Sequence, residues 1–365
     1  MMITLRHAVA GIAVIFALAA CAPTTDFPDI DDKAAAEEAR KQRVAVMQNV
    51  LSTEARVARV AYPVLFHNAA LCGTDITYSL GISGWTTEQM DEEYRDIAKE
   101  EFGIGKVLTV VNVTPGSSGE RADIRVGDKI ASVDEEALDD GEDAMEDLAE
   151  ILDESDGKEV QLGIIRDGQA RTVAVRPDRV CAFPVHWGPS DEVNAFADGS
   201  SVYVTTGFLR FVEDDDELAA VIGHELAHNT RGHIKSKRGN EFIGILLGAL
   251  VGAAIGIDMT ETGRAIGAQA YSQDFEAEAD YVGVYHAARA GYDVWNAMKF
   301  WRRMAMENPY AINLEGTTHP STAKRFLAME KAIEEVEEKQ KAGLPLLPNE
   351  SLPASNADGN ETDKL

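Results

Sequence analysis

The stretch that decides the fold is residues 221–229, which read VIGHELAHN. His224 and His228 are four residues apart, so on a helix both imidazole rings project from the same face, about one turn apart. Two imidazole rings in this arrangement can bind one metal ion. Glu225 follows the first histidine and would lie beside the metal without binding it, where its carboxylate can take a proton from a water molecule.

The flanking sequence favours a helix for this motif. An apolar run at 218–222 leads directly into it, and an acidic run at 213–217 comes just before that. Acidic residues at the start of a helix complement its dipole, so the helix is expected to begin at the acidic run. The pattern is the signature of zincin metallopeptidases. The alternative is a buried pair of structural histidines.

A catalytic zinc site usually takes three protein ligands and leaves a fourth position for water. His233 is the nearest further histidine, but Arg231 and Ile234 occupy the positions where a metzincin has its glycine and its third histidine. If the helix continued, His233 would also face away from His224. The third ligand is therefore expected from elsewhere in the chain.

A better source of the third ligand is the stretch 272–281, which reads SQDFEAEADY. Glu276 and Asp280 share one helical face, so one carboxylate can bind the metal while the other orients a ligand histidine. Glu278 lies two residues from Glu276, a spacing that turns the two side chains about 200° apart on a helix. Because Asp280 lies on the same side as Glu276, we assign Glu276 as the ligand and expect Glu278 to face solvent.

Four motifs in one order resemble metallopeptidase family 48, the HtpX and CAAX prenyl protease family, and within it the soluble periplasmic members. The motifs are HELAH at 224–228, the pair Glu276 and Asp280, THPSTAKR at 318–325, and NAFA at 194–197 followed by SVYVTTG at 201–207. The resemblance covers residues 194–325 and implies zinc-dependent endoproteolysis. In the periplasmic members the substrates are misfolded or misassembled envelope proteins.

The resemblance also implies roles for individual residues. Zinc would be held by His224, His228 and Glu276, with Glu225 as the catalytic base. Asp280 and Arg325 would support the ligands without binding the metal. His319 would lie near the metal, where it either binds zinc in a resting state or stabilises the oxyanion. The strand predicted at 202–205 would pair with an extended substrate.

The N-terminal segment has the pattern of a secretion signal. Residues 1–20 carry Arg6, an apolar run and no acid, and they end in LAA before Cys21. This ending resembles a bacterial lipobox, which implies cleavage before Cys21 and its lipidation. Because Ala22 follows, the resemblance implies sorting to the periplasmic face of the outer membrane. The alternative is an ordinary signal or a short membrane anchor.

The remaining two cysteines and the net charge limit the possible partners. In an oxidising periplasm Cys72 and Cys181 are expected to form a disulfide, the alternative being two inert buried thiols. A net charge of −28 argues against nucleic acid as a partner. The absence of a basic cluster leaves membrane attachment to the N-terminal lipid.

Residues 102–177 have the pattern of a small β domain and resemble a bacterial PDZ domain. Asp167-Gly168 lies between two strand-like runs and predicts a hairpin. The loop at 102–105 would bind a peptide carboxylate, so the expected ligands are peptide C-termini or extended segments. Asp123 stands where the pattern commonly has glycine, and aspartate tolerates the left-handed backbone better than most residues.

These observations predict an α+β protein, a mainly helical zincin domain with a small sheet and an inserted PDZ domain. After the tether at 21–33, the zincin domain comprises residues 34–101 and 178–342, and residues 343–365 form a disordered tail. The uncharged segment 242–257 is too short to span a membrane and is expected either to pack through its glycines or to contact membrane or substrate. The competing function is a non-proteolytic scaffold or chaperone with structural zinc.

Overall fold

The computed structural model describes residues 28–236, 273–307 and 323–350, together with Thr25. The chain divides into two units, Met1–Val46 and Met47–Leu365. The first contributes the N-terminal part of helix α1, Asp32–His67, and the second contains all the other elements. Within the described residues, no helix is both long and apolar enough to cross a membrane. The segment 242–257, Cys21 and His319 lie outside these residues.

The second unit combines short strands with longer helices, so the prediction of an α+β fold is confirmed. The strands are β1 Ile76–Ser79, β2 Ile82–Trp85, β3 Leu108–Val113, β4 Lys129–Val133, β5 Glu136–Ala137, β6 Val160–Arg166, β7 Gln169–Val175, β8 Asp178–Cys181, β9 Val185–Gly188, β10 Ala195–Ala197 and β11 Val202–Thr205. The helices after α1 are α2 Glu92–Phe102, α3 Ser118–Arg121, α4 Ala144–Glu154, α5 Thr206–Phe211, α6 Asp215–Thr230, α7 His233–Ser236, α8 Gln273–Arg289, α9 Val294–Glu307 and α10 Ala323–Lys341.

The middle of the chain forms an antiparallel sheet with the order β2-β3-β4-β6-β7, and β5 pairs with β4. Leu108, Ile130 and Leu162 from the sheet pack with Leu148 of α4 in one core. The predicted hairpin is confirmed: Arg166 pairs with Gln169 across Asp167-Gly168. Both turn residues have positive φ, which is the backbone that this two-residue turn requires. Asp123 is also left-handed, with φ of 59°.

The sheet begins earlier in the chain than the predicted boundary at residue 102. Strand β2 pairs with β3, and helix α2 lies between them in sequence. The predicted carboxylate-binding loop at 102–105 is therefore the C-terminal end of α2. Gly103 is its left-handed cap, and the backbone N–H groups of Gly103 and Ile104 both donate to Ala98. These two N–H groups are therefore paired within the helix end and do not point to a peptide carboxylate, as the prediction for this loop required.

Two smaller sheets join the middle of the chain to the helices around the metal motif. β1 pairs with β8, and Cys72 is disulfide-bonded to Cys181 beside this pair, with a Cα–Cα distance of 5.7 Å. The second sheet has the order β10-β11-β9. β11 is thus its central strand, paired on both edges, so the prediction that residues 202–205 pair with substrate is wrong. Backbone groups of a strand can join a new strand only at a free edge.

The helical core lies behind the metal motif. Leu218, Ile222 and Leu226 lie on one face of α6 and are fully buried in a cluster that includes Val60 and Val64 of α1. Their spacing of four residues is the helical period that the sequence shows. A second cluster joins α8, α9 and α10. A third, smaller cluster of Ala227, Ala279 and Val282 packs α6 against α8, the two helices that carry the predicted ligands.

Candidate metal centre

Helix α6 carries both histidines of the motif, and its N-terminus is capped. Asp214 caps the helix, accepting a hydrogen bond from the backbone N–H of Glu217 at 3.0 Å. The Glu217 carboxylate is buried and accepts hydrogen bonds from the Arg303 guanidinium. The acidic first turn stabilises the helix through its dipole. The sequence prediction of a helix starting at the acidic run is confirmed.

Two glycines allow α6 and α8 to approach closely at the metal motif. A Cβ atom on Gly283 would lie 2.9 Å from both Cα and N of His224, and one on Gly223 would lie 2.9 Å from the Gly283 carbonyl oxygen. Any larger residue would therefore push the helices apart. This close crossing was not predicted, although a glycine in each of the two ligand-bearing helices is a signal of it.

The crossing brings together three side chains that can bind one metal ion. The Nε2 atoms of His224 and His228 are 3.2 Å apart, and Glu276 carboxylate oxygens lie 3.7 and 3.4 Å from them respectively. One ligand atom from each residue lies within 4.8 Å of the others, and all three residues are buried. Two imidazoles and a carboxylate are the donor set of many catalytic zinc sites. The residues present therefore fit a zinc ion.

Asp280 and Arg325 support the His224 side of this cluster. His224 Nδ1 lies 3.0 Å from Asp280 Oδ1, and Arg325 donates to both Asp280 oxygens at 2.6 and 2.7 Å. Arg325 Nη1 also lies 3.0 Å from Glu276 Oε2. Burial opposes ionisation of Asp280, but the charge and hydrogen bonds of Arg325 outweigh it and lower the pKa of that carboxyl. Asp280 therefore stays ionised and can fix the tautomer of His224.

Glu225 and His286 lie near the same crossing but in different roles. Glu225 is 2% exposed. Burial lowers the pKa of Arg325, but the charge and hydrogen bonds of Asp280, with the charges of Glu276 and Glu225, outweigh it and raise that pKa. His286 of α8 is fully buried, and its Nδ1 lies 2.8 Å from the Gly223 carbonyl oxygen. Burial lowers the pKa of His286 to about 4, so its ring is neutral and donates to that carbonyl. His286 thus ties α8 to the backbone of α6 beside the motif.

His233 lies against the site, contrary to the prediction that it faces away. Its Nδ1 is 3.0 Å from Nδ1 of His228, and its Nε2 is 3.2 Å from Glu278 Oε2. The prediction assumed a continued helix, but α6 ends at Thr230 and the left-handed Gly232 redirects the chain. The prediction for Glu278 is also incomplete. Its side chain is 47% exposed, yet its carboxylate reaches His233.

Nothing in the sequence indicated a role for Asn229, the last residue of the motif stretch. Its side-chain oxygen accepts from the backbone N–H of Gly199, and its Nδ2 donates to the Ser201 carbonyl, at 2.8 and 2.9 Å. These bonds fasten the β10–β11 turn to the end of the metal-motif helix. Strand β10, which pairs with β11, is thereby fixed beside α6.

Comparison with known proteins agrees with this arrangement. The model of peptidase family M48 matches residues 176–333, and the model of the PDZ domain (PDZ_2) matches residues 80–176. The chain thus carries a metallopeptidase domain of family M48 and, before it, a PDZ domain. The PDZ match begins at residue 80, in agreement with β2 as part of the sheet.

Several metallopeptidases match between a third and two fifths of this chain. Human mitochondrial metalloendopeptidase OMA1 is 29% identical over 171 residues, covering 41% of this chain and 32% of the relative. The Arabidopsis thaliana mitochondrial metalloendopeptidase OMA1 is 31% identical over 147 residues, covering 39% and 30%. The beta-barrel assembly-enhancing protease of Yersinia pestis is 27% identical over 135 residues, covering 33% and 28%. The alignments therefore span a third or less of these relatives.

Proposed function

We propose that this chain is a zinc-dependent endopeptidase of the bacterial cell envelope that degrades misfolded or misassembled proteins. The observation that carries the proposal is the buried cluster of His224, His228 and Glu276 with Glu225 on the same helix. A site that only stabilised the fold would need no carboxylate base beside its ligands. The glutamate next to His224 therefore favours catalysis over a scaffold with structural zinc.

In this proposal His224, His228 and Glu276 hold the zinc ion. When bound, zinc supplies a Lewis acid that polarises the peptide carbonyl and activates water. Glu225 takes a proton from the attacking water and passes it to the nitrogen of the leaving amine. Asp280, held by Arg325, keeps the ring of His224 in the tautomer that presents Nε2 to the metal. His319 would act beside the metal, as the family resemblance implies.

The substrates would be unfolded protein segments, bound in extended form beside the metal centre with little demand on their sequence. There the Asn229 hydrogen bonds hold the β10–β11 turn at the end of α6. The name of the Yersinia pestis relative, a beta-barrel assembly-enhancing protease, supports an envelope substrate. The lipobox at Cys21 would place the enzyme on the periplasmic face of the outer membrane.

The PDZ domain would bind peptide C-termini or extended segments in a cleft beside β2. This cleft has a volume of about 600 Å³ and runs between β2 and the start of α4. Glu54 and His186, from outside the PDZ sheet, complete its wall. Glu54 accepts hydrogen bonds from the Ser83 hydroxyl and from Trp187 Nε1, so this wall is fastened to the peptidase part.

The test of the proposal is casein cleavage by the purified protein. We expect cleavage to stop after treatment with a zinc chelator and to return when stoichiometric zinc is added. Magnesium added in place of zinc is the control, because a site of two imidazoles and one carboxylate favours zinc. Cleavage that continues in chelator would contradict a metallopeptidase. Protein that contains zinc but cleaves nothing, and suppresses aggregation instead, would favour the scaffold function.

A further inference from the structure

The described part of the chain contains a second support for the metal centre, on the His228 side. His228, His233 and Glu278 form a row in which Nδ1 of His228 is 3.0 Å from Nδ1 of His233, and Nε2 of His233 is 3.2 Å from Glu278 Oε2. Both histidines are buried, whereas the glutamate lies at the surface. The row therefore runs from the metal cluster to solvent.

The direction of the hydrogen bonds follows from the ends of the row. Nε2 of His228 faces the cluster, 3.2 Å from Nε2 of His224 and 3.4 Å from Glu276, so this nitrogen would present its lone pair to a bound metal ion. Its proton is then on Nδ1, which donates to Nδ1 of His233. The proton of His233 is consequently on Nε2, which donates to the Glu278 carboxylate. Each link has one donor and one acceptor.

The surrounding structure holds His233 in this position. Its ring stacks on Phe275 of α8, with the ring centres 4.5 Å apart and the planes 17° apart. Gly232 has a φ of +66°, a backbone that favours glycine, and it turns the chain so that His233 begins α7. Phe275 and Glu278 thus hold the ring from the same helix that carries Glu276. A ring fixed in this way can orient a ligand.

We propose that His233 is a positioning residue, which together with Glu278 fixes the tautomer and the ring orientation of the ligand His228. It does for His228 what Asp280 with Arg325 does for His224. This inference rests on the metal-binding part of the proposed function and not on proteolysis. Loss of such a partner lowers metal affinity by about 10- to 100-fold.

The experiment compares two substitutions of His233 in the purified chain. His233→Leu fills the space of the imidazole ring but offers His228 no hydrogen-bond acceptor. His233→Asn places an amide oxygen near the position of the imidazole Nδ1, where it can accept from His228. The dissociation constant for zinc is measured by competition with a chromogenic chelator. We expect about 10- to 100-fold weaker binding for His233→Leu and a loss below about 3-fold for His233→Asn.

Control variants separate this effect from a loss of folding. His67→Leu removes an exposed histidine distant in sequence from the cluster and should bind zinc like the wild type. Glu278→Leu removes the acceptor at the surface end and should weaken binding by at most about 10-fold, because that end is one hydrogen bond further from the metal. Glu278→Gln keeps an acceptor and should lose less than Glu278→Leu. Thermal unfolding of each metal-free variant checks that it is folded.

Two results would overturn the inference. Zinc binding by His233→Leu as tight as in the wild type would show that His228 needs no partner. Equal weakening by His233→Leu and His233→Asn in folded protein would show that ring packing on Phe275 matters and hydrogen bonding does not. A wild-type chain that binds no zinc would instead overturn the proposed metal centre itself, so the two failures are distinguishable.

Discussion

The two ligand histidines of α6 differ in how the surrounding structure supports them. His224 is backed by Asp280, whose carboxylate is buried and paired with Arg325, which is also buried. His228 is backed by His233, whose partner Glu278 is half exposed. Charges in a buried network interact far more strongly than charges at the surface. The His224 side should therefore dominate stability, and the His228 side should mainly adjust metal affinity.

The largest effect is expected from Arg325→Leu. This substitution leaves the carboxylates of Asp280 and Glu276 buried without their cation, a loss that typically costs about 3–5 kcal/mol of unfolding free energy. Urea denaturation of the metal-free protein measures it. Saturating zinc should recover part of the loss, because the ion binds only the folded state.

The matched control for Arg325→Leu is Arg171→Leu, which removes an exposed arginine of β7 and should change the unfolding free energy by less than about 0.5 kcal/mol. Equal effects of the two substitutions would show that the buried position of Arg325 adds nothing to its contribution to stability. A full loss at Arg325 that zinc does not reduce would show that the arginine acts apart from the metal cluster.

A smaller effect is expected from Gly283→Ala. The new Cβ would lie 2.9 Å from the backbone of His224, so the two helices must separate, at a typical cost of about 1–3 kcal/mol. Separation also moves Asp280 and Glu276 away from His224, so zinc binding should weaken. Denaturation and zinc titration are measured on the same sample. Gly188→Ala is the control, since nothing lies within 4 Å of its added Cβ.

The residues that could be predicted from the sequence are those related by the period of a single helix. His224 and His228 on α6, and Glu276 and Asp280 on α8, need only a spacing of four residues to share a face. The PDZ hairpin needed only Asp167-Gly168 between two strand patterns. In each case the deciding interaction is local in the chain.

The failures concern places where the chain turns between elements. His233 was expected to face away because nothing in the periodicity shows that α6 stops at Thr230 and that Gly232 redirects the backbone. Strand β2 was missed because it is only four residues long and is separated from β3 by helix α2. The central position of β11 follows from pairing with β9 and β10, a tertiary arrangement without a signal in β11 itself.

The central claim is that Glu225 is the base of a zinc centre formed by His224, His228 and Glu276. The measurement that tests it most directly is zinc content together with casein cleavage for Glu225→Gln. Because the amide removes the base and no ligand, we expect one zinc per chain as in the wild type, with cleavage reduced by about 10²- to 10⁴-fold. A Glu225→Gln protein that retains zinc and cleaves casein at the wild-type rate would contradict the account.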